Sequence, residues 1–555
     1  MLSINQKLTV AVLLNDNLIP KWIYDSISNL VESGYADITL IISGPPEKVR
    51  SPGRKRIPAL LLVKIIERID FLLFRRKQSY SNIKDVTNLK VKAINGLRNT
   101  DRTGINGGNS VSDAILDLTP DLVVKFGKHH LISDVYSHIK YGIWTFSADN
   151  GHEHNEVDYG FWQVVSHQPT IYSAVAAAKS HELNETIFSS WESIYPYSIT
   201  LSREKVLARA TLCLARLVEG ICVYGDSYLS RQKERFFENN HIQTESNADP
   251  YFPDVIRTVA RSIVRLTEFG LYKLLHTDAF SWQLRTSIDG GINNGDKDFS
   301  SFNTIHPPRK GFWADPFVVA NKNNYYVFVE EFVYATNKAH LSVLEIDSHG
   351  RFIKSEKIIE QPYHMSYPFV FTINGVYYMI PETFQNKTIE LYRCIDFPYK
   401  WTFEKYIIEN ISATDTTLFN YDNKWWLFTT IDQTRGISGC STELFLFYTD
   451  DPIRGTWTSH PLNPIISDES RARCAGKLYI ENGKIFRPSQ DCSLRYGRGL
   501  NINHVARLNE QEYDEVLIKE IKPDWDPKLK GLHTINSDKD MIIIDTYKFH
   551  RRISL

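Results

Sequence analysis

The sequence predicts two folds in one chain: an α/β domain over residues 1–225 and an all-β five-bladed propeller over 281–550, joined by a helical connector over 226–280. Three observations predict this. Apolar strand runs alternate with helical periodicity through the N-terminal part, the pattern of parallel βαβ units. A strand–turn–strand unit recurs five times in the C-terminal part at a period of roughly 50–60 residues, as repeat arrays do. Between them Ser202–Val223 and Val255–Leu275 have helical spacing, Ser227–Asn239 is polar and charged, and Thr244–Asp254 has no periodicity.

Leu8–Leu14 reads as a buried strand and Ile38–Ile42 as a second, stopped by Ser43-Gly44-Pro45-Pro46. Between them Trp22, Ile23, Ile27, Leu30 and Val31 mark a helix over Trp22–Glu32. A basic loop, Arg50–Lys55, leads into Ile57–Arg76, a long amphipathic helix bracketed by basic residues. Its apolar face is wide enough to pack on its own domain; an anionic membrane surface is the alternative contact. Ser110–Leu116 reads as a helix, and Asp121–Gly127 as a strand ending in a glycine turn. Ser202–Val223 is helical. Val255–Leu275 is a further amphipathic helix, on which Arg257, Arg261 and Arg265 form a solvated face or a dock for an acidic partner or lipid.

The repeats are explicit. Ala314-Asp315-Pro316-Phe317 leads to Tyr325-Tyr326, Ser366-Tyr367-Pro368-Phe369 to Tyr377-Tyr378, and Asp415-Thr416-Thr417-Leu418 to Trp425-Trp426. Ala475-Gly476-Lys477 leads to Ile485-Phe486, and Gly531-Leu532-His533-Thr534 to Met541–Ile544. Aromatics at this strand spacing are expected in the blade cores. Phe280–Arg285 precedes the first unit and suits the strand that closes a propeller ring by joining the last blade. Asp315 and Asp415 hold one repeat position, and are expected to face one mouth of the channel. Glu330 and Glu382 share another, fifteen residues after Asp315 and Tyr367. A pair of carboxylates across a sugar ring is the minimum machinery for glycosidic chemistry.

Composition narrows the function. A net charge of −1 gives no electrostatic case for nucleic acid. The six cysteines are scattered, without the close pairs of a zinc site, which fits buried thiols in a reducing compartment. No metal ligand set is expected. Leu8–Leu14 has no small-residue cleavage site after it, so a first strand is expected there and not a signal peptide. No apolar run approaches the ~20 residues that span a bilayer. The expected location is cytoplasmic, at the inner face of the membrane if residues 57–76 touch lipid.

Pro120-Asp121-Leu122-Val123-Val124-Lys125-Phe126-Gly127, Gly142-Ile143-Trp144-Thr145-Phe146 and Gly160-Phe161-Trp162-Gln163-Val164 resemble, in this order, the formyltransferase domain of methionyl-tRNA and sugar formyltransferases. The resemblance covers roughly residues 8–225. It implies a Rossmann-like sheet, a 10-formyltetrahydrofolate donor, and a catalytic Asn-x-His pair with a later Asp. Here those positions read Thr145, Ser147 and Asn184. Neither Ser147 nor Asn184 is a general base near neutral pH. A domain that keeps the fold and has lost formyl transfer is expected. Folate enters only if the domain is active, with His152 or His154 supplying the base.

The C-terminal motifs Phe312–Phe317, His364–Phe371, Met379–Thr383, Glu390–Arg393, Asp415–Phe419, Arg487–Ser493 with Tyr496-Gly497, and His533–Asn536 resemble, in order across 281–548, the N-terminal domain of plant glucosamine inositolphosphorylceramide transferase. That domain is similar to the five-bladed propeller of arabinanase-like glycoside hydrolases. In the plant protein a glycosyltransferase domain follows; here the sequence stops at Leu555, so activity is expected of the propeller itself. The arabinanase likeness implies that Asp315 is a base and Asp415 an orienting carboxylate. The fourth repeat lacks the acid Glu, leaving Glu382 or Glu443 to replace it. Arg393, Arg473, Arg487 and Arg495 offer forks for phosphate or carboxylate. His364, Tyr367, Gln490, Asp491 and His533 complete the polar set expected to bind substrate.

These readings lead to an enzyme of surface polysaccharide or glycolipid biosynthesis that transfers a glycosyl group, with Asp315, Asp415 and Glu382 as its catalytic set. A sugar nucleotide or lipid-linked glycan is the expected ligand. An arabinanase-like glycoside hydrolase, a non-catalytic glycan-binding scaffold and an active sugar N-formyltransferase are the alternatives.

Overall fold

The computed structural model describes residues 7–42, 57–75, 79–89, 94–99, 110–127, 129, 131–148, 160–180, 184–237, 260, 264, 267, 279–288, 290, 297–439 and 441–550. The 50–55 loop, His152, His154, the 244–254 segment and nearly all of the 255–275 stretch lie outside them. Two compact units make up the chain, Met1–Leu266 and Thr267–Leu555.

The first unit runs β1 (Leu8–Leu14), β2 (Leu18–Pro20), α1 (Lys21–Glu32), β3 (Ala36–Ile42), α2 (Ile57–Phe74), β4 (Ile83–Asp85), β5 (Ile94–Asn99), α3 (Val111–Leu118), β6 (Leu122–Lys125), α4 (Ser133–His138), β7 (Ile143–Ala148), α5 (Phe161–Ser166), β8 (Thr170–Ala178), β9 (Asn184–Ser193), α6 (Ile199–Tyr224) and α7 (Asp226–Phe237). Its main sheet has the order β5-β3-β1-β6-β7-β8-β9. The first five strands of that order are parallel, and β8 and β9 are antiparallel. Val10, Ala11, Val12, Leu13 and Leu14 are all buried, because a central parallel strand is covered on both faces. Strand order reverses between β1 and β6.

Helix α1 turns Trp22, Ile23, Ile27 and Leu30 inward, the spacing of one helical face. Ser110 and Asp113 form a reciprocal capping box at the start of α3, satisfying N–H groups that the first helical turn leaves unpaired. Helix α6 is buried around most of its circumference, charged residues included. Its Arg209 pairs with Glu192 of β9 at 2.9 Å, and Glu204 accepts from the Tyr80 N–H at 3.0 Å.

The second unit is a ring of five sheets. Blade one is β12 (Gly311–Asn321), β13 (Asn324–Val333), β14 (Lys338–Ile346) and β15 (Phe352–Ile359). Blade two is β16 (Ser366–Ile373), β17 (Val376–Thr383), β18 (Thr388–Asp396) and β19 (Lys400–Glu409). Blade three is β20 (Ala413–Tyr421), β21 (Lys424–Ile431), β22 (Glu443–Thr449) and β23 (Thr458–Ser459), with β24 (Ile466–Ser467) also on β22. Blade four is β25 (Tyr479–Glu481), β26 (Lys484–Asp491), β27 (Gly499–Leu508) and β28 (Tyr513–Ile521).

Blade five mixes both ends of the unit. Its order is β11-β10-β30-β29, with β10 (Ala279–Ile288) and β11 (Asn303–Ile305) from before the first blade and β29 (Ile535–Asp538) and β30 (Met541–His550) from after the fourth. Strand β10 pairs with β30 from Ala279 opposite His550 to Ile288 opposite Met541. The early Phe280–Arg285 strand therefore closes the ring, as its position before the repeats led us to expect. Apolar layers fill the gaps between blades. Leu284, Met541 and Ile543 of blade five meet Trp313, Val318 and Val327 of blade one. Leu532, Ile535, Ile542 and Ile544 meet Phe486, Leu500 and Ile502 of blade four. Gly476 marks a close approach of blades four and five: a Cβ there would lie 2.0 Å from the Ile535 carbonyl oxygen.

Arg487, expected to bind substrate, is instead part of the blade-four core. Its guanidinium makes a two-point pair with Glu515 at 2.7 and 2.7 Å and donates to the Arg471 carbonyl at 2.7 Å. Both side chains are sealed from solvent. Arg487→Met strands the Glu515 carboxylate and is expected to cost about 3–5 kcal/mol, while Arg487→Met with Glu515→Leu recovers most of the loss. Urea unfolding of the full chain followed by tryptophan fluorescence tests this. A single variant as stable as the parent would show that the pair does not hold the blade.

Candidate carboxylate site at the head of the ring

The site begins with a backbone irregularity repeated three times. Pairing between the first two strands of blades one, two and three shifts register between Ala314 and Phe317, Ser366 and Phe369, and Thr414 and Thr417. At each bulge one residue adopts positive φ: Asp315 at 50°, Tyr367 at 44° and Asp415 at 51°. A left-handed conformation is costly for a bulky side chain and persists only where the surroundings over-determine it.

Asp315 is over-determined by blades two and five. Its carboxylate accepts from the Tyr367 N–H at 3.3 Å and from the Thr534 hydroxyl at 2.8 Å, and lies 3.4 Å from His533 Nε2. Its own N–H donates to Asp545 at 3.0 Å. Tyr367 spans the axis: its hydroxyl meets Thr417 of blade three at 2.9 Å and accepts from the Gly476 N–H of blade four at 2.8 Å. Asp415 takes Arg473 at 2.6 and 3.2 Å, and the Gln490 amide at 2.7 Å. Arg473 also reaches Glu382 at 3.4 Å. The site thus joins Asp315, Asp415, Glu382, Tyr367, Arg473, Gln490 and His533. His364 stands beside it, paired with Glu330 at 3.4 Å.

Four expected ligands belong elsewhere. Arg393 lies on the outer strands of blade two, half-exposed and paired with Glu404 at 3.2 Å. Arg487 is in the core, as above. Asp491 caps a local turn through the Ser493 N–H and hydroxyl, at 3.0 and 2.6 Å, and pairs with Arg498. Arg495 donates to the Lys530 carbonyl. The arginine-rich mouth is therefore a carboxylate-rich one, and Arg473, the arginine within it, is already clamped by two carboxylates.

Asp545 was missed. It ends the run Met541–Ile544 on β30 and is fully buried. It accepts the N–H groups of Asp315, His533 and Thr534 at 3.0, 3.0 and 2.9 Å and pairs with His533 Nδ1 at 2.6 Å. The signal was a charge closing four apolar residues. Trp282 and Tyr496 were missed as well. The indole stacks on His533 at 3.9 Å, and Tyr496 covers the Arg473 guanidinium at 5.0 Å. The Tyr496 ring is 46% exposed, while Asp315, Asp415 and His533 form a closed floor.

Burial raises Asp315 to about 7, against the charge of His533 and with the help of Asp415, Glu330 and Asp545. Burial and its hydrogen-bonded neighbour Asp415 hold Glu382 protonated well above the carboxylate range, despite Arg473. Burial alone would lower His533, but Asp545 and Asp315 outweigh it and raise the imidazole to about 9. One neutral acid, one carboxylate near neutrality and one imidazolium therefore share the site. Asp315, His533 and Asp545 bring ligand atoms within 4.8 Å of one another. A cation there would have to displace the ring protons of His533, whose charge the two carboxylates already balance.

In the first unit, Thr145 and Ser147 lie on β7, half-buried. Asn184 starts β9, opposite Ala178, which itself pairs with Ile143 at the other end of β7, while Ser147 pairs with Ala174. Asn184 is thus about 13 Å along the strand direction from Ser147 and two strands away. The register does not bring the three positions together.

A five-bladed propeller with a buried carboxylate cluster at one end of its axis is what the second unit defines. Residues 301–542 match the family described as "Glucosamine inositolphosphorylceramide transferase 1, N-terminal". The rice (Oryza sativa subsp. japonica) glucosamine inositolphosphorylceramide transferase 1 is 36% identical over 208 residues, 37% of this chain and 28% of the rice protein. The Arabidopsis thaliana protein of the same name is 30% identical over 208 residues, 37% of this chain and 27% of its own length. The chain thus spans little more than a quarter of the curated relatives it matches. Among solved structures, a family 117 glycoside hydrolase from Zobellia galactanivorans aligns with TM-score 0.32 and 12% identity over 48% of this chain and 90% of that one. A Bacillus subtilis arabinanase aligns with TM-score 0.31 and 14% identity over 42% and 93%.

The charge on His533 contributes stability that is complete below pH 6.5, its ordinary value, and is lost as pH rises through about 9. Histidine ring NMR of the full chain should show the His533 imidazole charged at pH 7.5 and titrating near 9. Asp545→Asn should lower that midpoint by at least about one unit, the loss of one close opposite charge. An unchanged midpoint would remove Asp545 as its cause.

Proposed function

We propose that this protein is a carbohydrate transferase of glycolipid or surface polysaccharide assembly, with its chemistry at the head of the propeller. The observation that carries the reading is the contrast between Glu382, held neutral, and Asp315, poised at about 7. Two carboxyl groups pushed to different protonation states define an acid and a base. Glu382 donates its proton to the departing glycosidic oxygen, and Asp315 accepts the proton of the incoming hydroxyl. Asp415, fixed by Arg473 and Gln490, keeps Glu382 protonated. The names of the rice and Arabidopsis relatives support an amino sugar as the transferred group and an inositol-phosphate lipid as acceptor. With Arg473 already engaged, the mouth receives the sugar ring, and Tyr496 offers a face on which it stacks. A sugar nucleotide or lipid-linked glycan supplies that ring.

The same acid and base serve a glycoside hydrolase, with water in the acceptor's place. The experiment that separates the two is product analysis of the full chain, supplied with nucleotide sugars and an inositol phospholipid. Asp315→Asn and Glu382→Gln are each expected to lower turnover by about 10²- to 10⁴-fold, the usual contribution of one proton-transfer group. Free sugar as the sole product selects the hydrolase. No product, together with an unchanged cellular glycan in Asp315→Ala, leaves a glycan-binding scaffold.

The N-terminal unit we read as a formyltransferase-like domain that no longer transfers formyl groups. Its support is the absence of a general base at Thr145, Ser147 and Asn184, and the register that separates Asn184 from the other two. Incubation with 10-formyltetrahydrofolate and nucleotide-linked amino sugars should give no formylated product; robust formylation would overturn this part. The five described cysteines are free, which supports a cytoplasmic site for the reaction.

A further inference from the structure

We propose that helix α2 seats the first unit on an anionic bilayer surface, lying in the plane of the interface. The inference is independent of the chemistry assigned to the propeller.

The two sides of α2 have opposite fates. Val63 and Asp70 are buried, and Glu67 is nearly so. Asp70 accepts the Thr200 N–H at 2.6 Å and the Ser198 hydroxyl at 3.3 Å, and Glu67 pairs with Arg203 at 2.8 Å. Phe74 sits 5.8 Å from the Tyr197 ring. Both carboxylates of the helix are therefore spent on the N-terminal end of α6 and its approach. On the other side Leu61, Ile65, Ile69, Leu72 and Leu73 are 59%, 47%, 53%, 56% and 66% exposed. The first four recur at i, i+4, i+8 and i+11, one continuous row. Lys64, Arg68 and Arg75, all exposed, recur in step with it and form a second row along its edge.

An apolar row beside a cationic row, with no exposed acid on the helix, is complementary to a surface that offers acyl chains and negative headgroups together. No described helix is long and apolar enough to cross a membrane. The Glu67 and Asp70 contacts also fix the opposite face to α6, so α2 lies on the surface and does not enter it. A second copy of the chain is a poor occupant. Two α2 helices packed face to face would bring their basic rows together with no exposed α2 carboxylate to balance them.

The test is sedimentation of the full chain with vesicles of phosphatidylcholine alone, and with about 30% phosphatidylglycerol added to give an anionic surface. Two variants accompany it: Ile65→Ser with Ile69→Ser and Leu72→Ser, and Lys64→Glu with Arg68→Glu. All five positions are exposed, so far-UV circular dichroism and thermal melting should match the parent. The parent is expected to pellet with anionic vesicles and to be released by high salt. The serine variant should not pellet, and the charge-reversed variant should bind at least about tenfold more weakly, roughly a few-fold per basic residue. The proposal is overturned if the parent stays in solution with anionic vesicles, binds neutral vesicles equally, or is matched by either variant. A dimer in analytical ultracentrifugation that the serine variant dissolves, without vesicle binding, would assign the face to a second copy instead.

Discussion

The second unit depends on how the Asp545 carboxylate is spent. Three backbone N–H groups and one imidazole converge on it in a place water does not reach. An unpaired N–H in such a place costs a large part of a hydrogen bond to water, so bulged strands at the centre of a propeller need an internal acceptor. Asp545 supplies it from blade five to blade one. That in turn fixes Asp315 in its left-handed backbone, and Asp315 fixes Tyr367. The tyrosine hydroxyl then joins blades three and four. The ring is held at its head by polar contacts and between its blades by apolar layers.

This arrangement explains why the carboxylates differ from one another. Burial favours the neutral form of Asp315 and Glu382. Their partners are unequal. Asp415 has the guanidinium fork of Arg473, Asp545 has three N–H donors and His533, and Glu382 shares Arg473 at 3.4 Å. Burial and the neighbouring Asp415 raise Glu382 well above the carboxylate range, and burial raises Asp315 to about 7. Burial and the nearest partner set Glu382 and Asp315 apart, and Glu382 stands nearer to solvent than the closed floor of Asp315, Asp415 and His533.

Much of the second fold was legible because its signals are local. Paired aromatics, short turns and an apolar strand before the first repeat needed no long-range knowledge, and five sheets with β10 in the last follow from them. What was hidden is pairing. Arg473 and Arg487 look alike in the sequence, yet one has Asp415 and Glu382 at the site and the other has Glu515 in a blade core. Only the register of distant strands decides which. The same holds in the first unit: the alternation of β1 to β7 was readable, while the distance from Ser147 to Asn184 depends on the β7–β8–β9 ladder. The outward row on α2 was readable as apolar; which side α6 would take was not.

The closure of blade five bears on the order in which the molecule is made. Strand β10 leaves the ribosome early and cannot complete its sheet until β30 follows, after the other four blades. The pairing spans nearly the whole second unit, and non-local pairings are slow to form. Through synthesis, β10 offers an unsatisfied edge with Phe280, Trp282 and Leu284 on it, the kind of strand that adds to a neighbour when left waiting. The short strand β11 pairs with Leu284–Thr286 on the other side and leaves that edge open. Assembly of the polar head is then a final, all-at-once event, because Asp545 arrives on the very strand that closes the ring. Without that strand, the N–H groups of Asp315, His533 and Thr534 lack the carboxylate they donate to, so the polar head and the closed ring form together.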